Sequence, residues 1–200
     1  MSDAPPIVGS DHAGRAALGF SIARGVLARD RATALVRSFE ARLASGSFGV
    51  ALGRRLLALD NATQVVPELQ ALLDSSVFTP LAEGAIMIGC QVVIKPGRCP
   101  DHVYWHRDLE YASSSRRDGL TFWLALTDVT VDNGCLWYLP GSHRQDYELD
   151  PQPAAPVPVP MSVGDLAIHT RATLHRSGPN RSPNPRYALM LEWLPVDERA

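Results

Sequence analysis

Residues 85–194 consist of short segments with strand composition, and turn signals separate these segments. The segments are 85–88, 91–94, 104–111, 120–126, 135–139, 166–169, a further strand that runs to His175, and 186–194. Their connections carry turn residues, such as Lys95-Pro96-Gly97, and show no helical period. Seven or eight short strands that are joined by turns predict an antiparallel β sandwich or jelly roll.

The residues before this region predict supporting elements. Residues 1–20 contain scattered small and polar residues without a clear period, so we expect a flexible or loosely packed leader there. Apolar residues recur at helical spacing from Val26 to Leu43, which predicts an amphipathic helix that packs on a sheet. Pro67 fits the first turn of a second, shorter helix.

The length of the chain predicts one domain. A chain of 200 residues can bury a sizeable core, and no change in composition is sharp enough to mark a boundary. We therefore expect a single domain over residues 1–200, with helical support in 21–80 and a jelly-roll core in 85–194. The predicted fold class is mainly β with flanking helices.

The composition argues against several classes of partner. The formal net charge is -2 and no basic groove is evident, so we expect no nucleic acid partner. No apolar run approaches the length of a membrane span, so we expect no membrane partner. Cys90, Cys99 and Cys135 form neither an even framework nor a CxxC pair, which favours a reducing compartment and predicts a cytoplasmic protein. The oligomeric state is left open.

Two histidines and one aspartate predict a metal site. His106 and Asp108 lie two residues apart in a strand-like segment, so their side chains can point to the same face. His175 ends a second strand-like segment far along the chain. Two imidazoles and one carboxylate on one face would leave three positions open on an iron ion. An ion pair at the edge of a strand is the alternative interpretation of His106 and Asp108.

Ser177 and Arg186 predict a site for a carboxylate. If the strands on either side of the loop 178–185 form a hairpin, these two residues lie opposite each other and face the same side as His175. A guanidinium beside a hydroxyl can clamp a carboxylate. A dicarboxylic keto acid could then chelate the metal with one end while the clamp holds the other.

Three further polar residues have more than one interpretation. Gln91 interrupts an apolar strand, and a core amide and a ligand-facing residue are equally good interpretations. His143 lies in a Pro-Gly-Ser-His turn, where we expect a structural role. We expect His169, six residues before His175, to be a structural residue or to support a metal ligand without binding the metal.

Three blocks of the sequence, in this order, are similar to the phytanoyl-CoA dioxygenase family of Fe(II) and 2-oxoglutarate oxygenases. The blocks are His106-Arg107-Asp108, residues 133–144 from Asn133-Gly134 to His143-Arg144, and His175 to Ser182 together with Arg186. The resemblance covers about residues 85–194 and implies a double-stranded β-helix, a cupin-like jelly roll, with helices outside it.

The resemblance also implies roles for individual residues. His106, Asp108 and His175 are expected to bind Fe(II), with O2 as a reactant. Arg186 is expected to pair with the distal carboxylate of 2-oxoglutarate, and Ser177 is expected to assist it. Gln91 resembles a glutamine that lies at the cosubstrate in the ectoine hydroxylase branch, although its spacing to His106 differs. Trp123 matches a strand position that lines the family's pocket.

The expected function is hydroxylation, or another oxidation, of a C–H bond in a small-molecule substrate, with release of succinate and CO2. Two alternatives remain at this stage. One is a metal-dependent jelly-roll hydrolase or isomerase, for which the carboxylate clamp would have no use. The other is a non-catalytic jelly roll that binds a ligand. The chain is short for the family, so the resemblance does not identify the substrate.

Overall fold

The computed structural model describes residues 12–45, 50–51, 57–60, 66–82, 84–110, 117–144 and 155–196. The α-helices in this part of the chain are α1 (His12–Leu18), α2 (Arg29–Ala44) and α3 (Pro67–Leu73). The strands are β1 (Phe20–Ala23), β2 (Val50–Ala51), β3 (Leu57–Asp60), β4 (Ile86–Lys95), β5 (Val103–His106), β6 (Leu120–Ala125), β7 (Leu136–Tyr138), β8 (Val157–Val159), β9 (Leu166–Thr170), β10 (His175–Ser177) and β11 (Arg186–Leu194).

The strands form two antiparallel sheets. The large sheet has the order β1-β9-β6-β11-β4-β3-β2, and the small sheet has the order β5-β10-β7-β8. Neighbours in each sheet are far apart along the chain, as when β9 pairs with both β1 and β6. The predicted β sandwich or jelly roll is therefore confirmed.

One hydrophobic cluster fills the space between the two sheets. Alternate residues of the large sheet, such as Trp123 and Ala188, pack against Tyr138 of the small sheet. Phe20 stacks on the Tyr138 ring with 4.3 Å between ring centroids. Side chains alternate along a strand, so each strand has an inner and an outer face. The polar residues of the site lie on the same inner faces as this cluster, further along the strands.

A second cluster lies on the outer face of the large sheet. Leu35 and Phe39 of α2 and Leu69 of α3 are buried there, together with Phe122 and Leu124 of β6. The predicted helix over 26–43 corresponds to α2, and the helix predicted from Pro67 is α3. These helices cover the outer face and leave the inner face to the site.

Some predicted elements are wrong. Residues 12–20 of the expected flexible leader form α1 and the start of β1, where Phe20 is fully buried; residues 1–11 lie outside the described part of the chain. The predicted helical support over 21–80 also supplies most of β1 and all of β2 and β3 to the large sheet. That the chain forms a single domain stays a prediction.

The two ends of the large sheet need separate names. One end, which we call the mouth, contains the first residues of β4 and β6 and the last residues of β9 and β11. Lys95 and Arg186 pair in register at the opposite end of β4 and β11.

The segments 85–88 and 91–94, predicted as separate strand segments, are parts of the continuous strand β4.

Candidate active site

His106, Asp108 and His175 come together through the small sheet and the turn that follows β5. His106 is the last residue of β5 and pairs in register with His175, the first residue of β10. Asp108 opens a short 3-10 helix, Asp108–Glu110. The predicted strand over 104–111 is thus wrong for residues 107–110, and Tyr111 lies outside the described residues. A turn of the chain, not strand alternation, brings the carboxylate to the imidazoles.

The three side chains offer donor atoms that all lie within 4.8 Å of one another. Asp108 Oδ1 is 3.6 Å from His106 Nε2 and 3.5 Å from His175 Nε2. Donors that bind one first-row metal ion at about 2.1 Å and at right angles lie roughly 3 Å apart. The group therefore needs only a small contraction to hold a metal ion.

Backbone carbonyls orient both imidazoles. His106 Nδ1 is 2.8 Å from the Tyr104 carbonyl, and His175 Nδ1 is 3.0 Å from the Thr173 carbonyl. A carbonyl oxygen can only accept, so each Nδ1 carries the proton and each Nε2 presents its lone pair. This arrangement of the second ring nitrogen is typical of metal-binding histidines.

The other carboxylate oxygen of Asp108 is held by hydrogen bonds. Thr121 Oγ1 donates to Asp108 Oδ2 at 2.6 Å, and His169 Nε2 donates to the same oxygen at 2.9 Å. Tyr138 Oη lies 2.8 Å from His169 Nδ1 and donates to it, because His169 Nε2 already carries the ring proton. Asp108 is thereby fixed with Oδ1 facing the two imidazoles.

The charges in the group suit a divalent cation. Burial alone would raise the pKa of the Asp108 carboxyl, but the neighbouring His175 and the hydrogen bond from His169 lower it well below its usual value. Burial, with His106 nearby, lowers the pKa of His175 to about 3. At neutral pH the group is an ionised carboxylate with a neutral His175, which are the protonation states that bind metals.

Arg186 lies on the inner face of β11, where it is 1% exposed. Its Nε and Nη1 have no hydrogen-bond partner among the residues that the structure describes. The guanidinium carbon is 5.0 Å from the centroid of the Trp123 ring, a cation–π contact. Burial lowers the pKa of Arg186 to about 10, so the side chain is still a cation at neutral pH. A buried cation with free donors is suited to bind an anion.

The predicted hairpin between Ser177 and Arg186 is wrong. Ser177 belongs to β10 of the small sheet and Arg186 to β11 of the large sheet, so the two strands do not pair. Lys95 connects them instead: it is the cross-strand neighbour of Arg186, and its Nζ donates to Ser177 Oγ at 2.8 Å. The two residues therefore reach a common region from facing sheets.

Gln91 and Trp123 lie in one row across the inner face of the large sheet. Met190 pairs with Gln91 on one side and with Trp123 on the other. Trp123 is buried and Gln91 is half-buried. The row lies between the metal-binding group and Arg186 along β11, which is compatible with a pocket position for both residues, and their binding roles stay predictions.

Two residues of the site, Thr121 and Tyr138, were not assigned a role in it from the sequence. Lys95 is fully buried at the end of β4, and its spacing from Gln91 is the sequence signal that it faces inward. Thr121 lies two residues before Trp123 on the same strand face. No sequence signal connects Tyr138 to His169. The predicted supporting role of His169 agrees with its hydrogen bond to Asp108.

The chain matches a known protein family. The model of the phytanoyl-CoA dioxygenase (PhyH) family matches residues 25–188, so the chain belongs to this family. Phytanoyl-CoA dioxygenase 1 of Oryza sativa subsp. japonica is 32% identical over 135 residues, which are 58% of this chain and 48% of the rice protein. The chain thus spans about half the length of this curated relative.

Solved structures with the same fold include two proteins of nogalamycin biosynthesis. The non-heme alpha ketoglutarate dependent carbocyclase SnoK is 25% identical, with a TM-score of 0.80 over 92% of this chain and 82% of SnoK. The epimerase SnoN is 22% identical, with a TM-score of 0.82 over 90% of this chain and 80% of SnoN. SnoN has been crystallised with Fe3+ and alpha ketoglutarate.

These likenesses confirm the predicted double-stranded β-helix and the predicted family. The predicted cofactors, Fe(II), 2-oxoglutarate and O2, are those of the family, and the two imidazoles and one carboxylate fit the metal. In the described part of the chain, no helix is both long and apolar enough to cross a membrane.

Proposed function

We propose that this protein is an Fe(II)- and 2-oxoglutarate-dependent oxygenase that hydroxylates, or otherwise oxidises, a C–H bond of a small molecule. The products from the cosubstrate would be succinate and CO2. One observation carries the proposal: the inner surface that holds the His106–Asp108–His175 group also holds a buried, cationic Arg186, and two of its nitrogens have no hydrogen-bond partner in the described part of the chain.

Each residue has a specific role in this proposal. His106 Nε2, Asp108 Oδ1 and His175 Nε2 hold the metal, and Arg186 receives the distal carboxylate of 2-oxoglutarate. Ser177 assists Arg186, and Trp123 and Gln91 line the cosubstrate pocket. Iron with 2-oxoglutarate supplies the activation of O2 and the oxidation of the substrate. The protein residues orient the reactants and exclude water from the buried end of the site.

The alternatives differ in what they require of Arg186. A metal-dependent hydrolase or isomerase does not need a buried guanidinium on the inner surface that also holds the metal-binding group. Arg186 therefore counts against that function. A non-catalytic binding protein would retain both sites but would not turn over 2-oxoglutarate. SnoN and SnoK are named for an epimerisation and a carbocyclisation, and this is why the proposal includes oxidations other than hydroxylation.

Succinate release tests the proposed function. The purified protein, with Fe(II), 2-oxoglutarate, O2 and ascorbate as the electron donor in place of the substrate, is expected to release succinate. Omission of Fe(II), 2-oxoglutarate or O2 is expected to stop the release. His175→Ala is expected to abolish the release. A protein that binds Fe(II) and 2-oxoglutarate but forms no succinate would contradict the proposal and favour the binding protein.

We also propose a cytoplasmic location and a small-molecule substrate for the enzyme. Cys90, Cys99 and Cys135 are free, buried thiols, which is compatible with a reducing cytoplasm where Fe(II) persists. We expect a small-molecule substrate and no nucleic acid partner, since the net charge is close to zero.

A further inference from the structure

The mouth of the sandwich carries an ion pair that the metal site does not use. Arg171 directly follows β9, and Glu192 lies near the end of β11. Arg171 Nη2 is 3.8 Å from Glu192 Oε2, which is too long for a hydrogen bond. The Arg171 side chain is 0% exposed and the Glu192 side chain is 27% exposed, so solvent reaches the pair from the glutamate side.

The pair lies beside the metal-binding group. Glu192 pairs in register with Thr121, whose hydroxyl donates to Asp108. The side chain of Arg171 crosses the start of β6, because a Cβ at Gly119 would be 2.5 Å from Arg171 Cδ. Arg171 thus borders the inner surface on the mouth side. It lies beside Gly119, which is two residues before Thr121.

Arg171 lacks the hydrogen bonds that a buried guanidinium needs. In the described part of the chain its Nε, Nη1 and Nη2 are all buried without a hydrogen-bond partner. A buried polar group without partners costs free energy, and a buried charge costs more. Such a group beside a reaction site indicates that a ligand supplies the missing acceptors.

A glycine and exposed apolar residues of β4 lie near Glu192. The Glu192 side chain packs over Gly89, where a Cβ would be 3.6 Å from Oε2. The register between β4 and β11 shifts after Glu192, and Ile88 has no partner on β11; bulges of this kind are common next to active sites. Ile86, which pairs with Leu194, and Ile88, which precedes Gly89, are 56% and 42% exposed; we call this apolar surface near Glu192 the rim.

We propose that Arg171 and Glu192 bind the primary substrate, and that this substrate is an α-amino acid with an apolar side chain. The carboxylate accepts hydrogen bonds from Arg171, the ammonium donates to Glu192, and the side chain contacts the rim of Ile86 and Ile88. Arg171 presents buried donors that suit a carboxylate, and Glu192 presents a partly exposed carboxylate that suits an ammonium, so a zwitterion matches both charges of the pair. This assignment rests on the proposed oxygenase function, because it names the substrate of the same site.

Calorimetry on the loaded enzyme tests the assignment without turnover. The protein is saturated with Fe(II) and 2-oxoglutarate in the absence of oxygen and titrated with L-valine, L-leucine, L-isoleucine, L-methionine and L-phenylalanine. At least one of these is expected to bind. Its N-acetyl derivative and its methyl ester, which each lack one charge, are expected to bind roughly 30-fold more weakly or worse.

Variants separate binding from a structural ion pair. Arg171→Met and Glu192→Gln are each expected to weaken binding of the amino acid by roughly 30-fold or more. Arg171→Met is expected to keep or raise the melting temperature, since it removes a buried charge and leaves Glu192 in contact with solvent. Arg29→Met breaks the exposed pair with Asp128 and is the matched control, with unchanged binding.

Two results would overturn the assignment. One is the failure of all five amino acids to bind while 2-oxoglutarate binds normally to the same sample. The other is an Arg171→Met variant that loses stability but binds the amino acid as the wild type does, which would make the pair structural. If 2-oxoglutarate itself fails to bind, the proposed oxygenase function fails, and this outcome is distinct from the other two.

Discussion

Lys95 Nζ donates a 2.8 Å hydrogen bond to Ser177 Oγ, and this contact joins the two sheets next to Arg186. The same ammonium also contacts the backbone carbonyls of Ser177 and Gly178, so each of its protons has an acceptor. Because Ser177 Oγ accepts from Lys95, its own proton remains available for another acceptor. Lys95 thereby prepares Ser177 to act as a donor beside the Arg186 guanidinium.

The lowered pKa of the buried Lys95 predicts that the free energy of unfolding depends on pH. Burial, and then the positive charge of Arg186, lower the pKa of Lys95 to about 7. Between this pH and the usual lysine value of about 10.4, the unfolded chain holds a proton that the folded protein lacks. The contribution of Lys95 to the free energy of unfolding therefore increases as pH rises, by at most about 1.4 kcal/mol per pH unit.

Urea unfolding of wild type and Lys95→Met at pH 7 and pH 8.5 measures this contribution. The difference in unfolding free energy between the two proteins is expected to shift in favour of wild type at the higher pH. Cys90 and Cys135, whose thiol pKa values are raised by burial, act with the opposite sign at alkaline pH but are common to both proteins. A difference that stays constant with pH would mean that Lys95 keeps its proton.

Arg186→Leu is expected to raise the concentration of 2-oxoglutarate needed for half-maximal succinate release. Loss of one partner of a buried charge pair costs on the order of 2–5 kcal/mol, which is about 30-fold or more in affinity. Iron binding is expected to change little, because the metal-binding atoms belong to other residues. Arg176→Leu is the control, since Arg176 lies between Trp105 and Trp137 on the other face of β10. Equal effects of the two variants would place the clamp elsewhere.

The sequence predicts local chemistry better than it predicts strand partners. His106, Asp108 and His175 could be found because the motif has a fixed spacing and residue types that suit a metal. The hairpin of Ser177 and Arg186 was wrong, because strands that follow each other in the chain belong here to opposite sheets. The contact that replaces it joins Lys95 and Ser177, 82 residues apart, and no local pattern encodes it.

The end of β5 illustrates a second limit. The aromatic and apolar residues of 104–111 have strand propensity, and β5 nevertheless ends at His106. Strand propensity reflects how a side chain fits a half-buried surface, and it does not determine where tertiary contacts end the strand. Here Leu109 N donates to the Arg171 carbonyl and Asp108 turns towards Thr121, which fixes the short 3-10 helix.

His175→Ala is expected to lose Fe(II) binding and to remain folded. The substitution leaves one imidazole and one carboxylate, which hold a divalent ion poorly, while the two hydrophobic clusters do not include His175. Metal content after dialysis and the far-UV circular dichroism spectrum report the two properties. His102→Ala, at an exposed histidine of the loop before β5, is the control and is expected to bind iron as wild type does. Full iron occupancy in His175→Ala would remove this residue from the site.

Thr121→Val is expected to weaken metal binding although Thr121 is not a metal ligand. The substitution keeps the side-chain shape but removes the 2.6 Å hydrogen bond to Asp108 Oδ2, which then depends on His169 alone among the described contacts. Residues that orient metal ligands typically contribute about 10- to 100-fold to metal affinity. Titration with Mn(II), which does not oxidise in air on this timescale, would measure the change in Kd. Thr33→Val makes the same chemical change on the exposed face of α2 and is expected to have no effect. An unchanged Kd in Thr121→Val would show that His169 alone fixes the carboxylate.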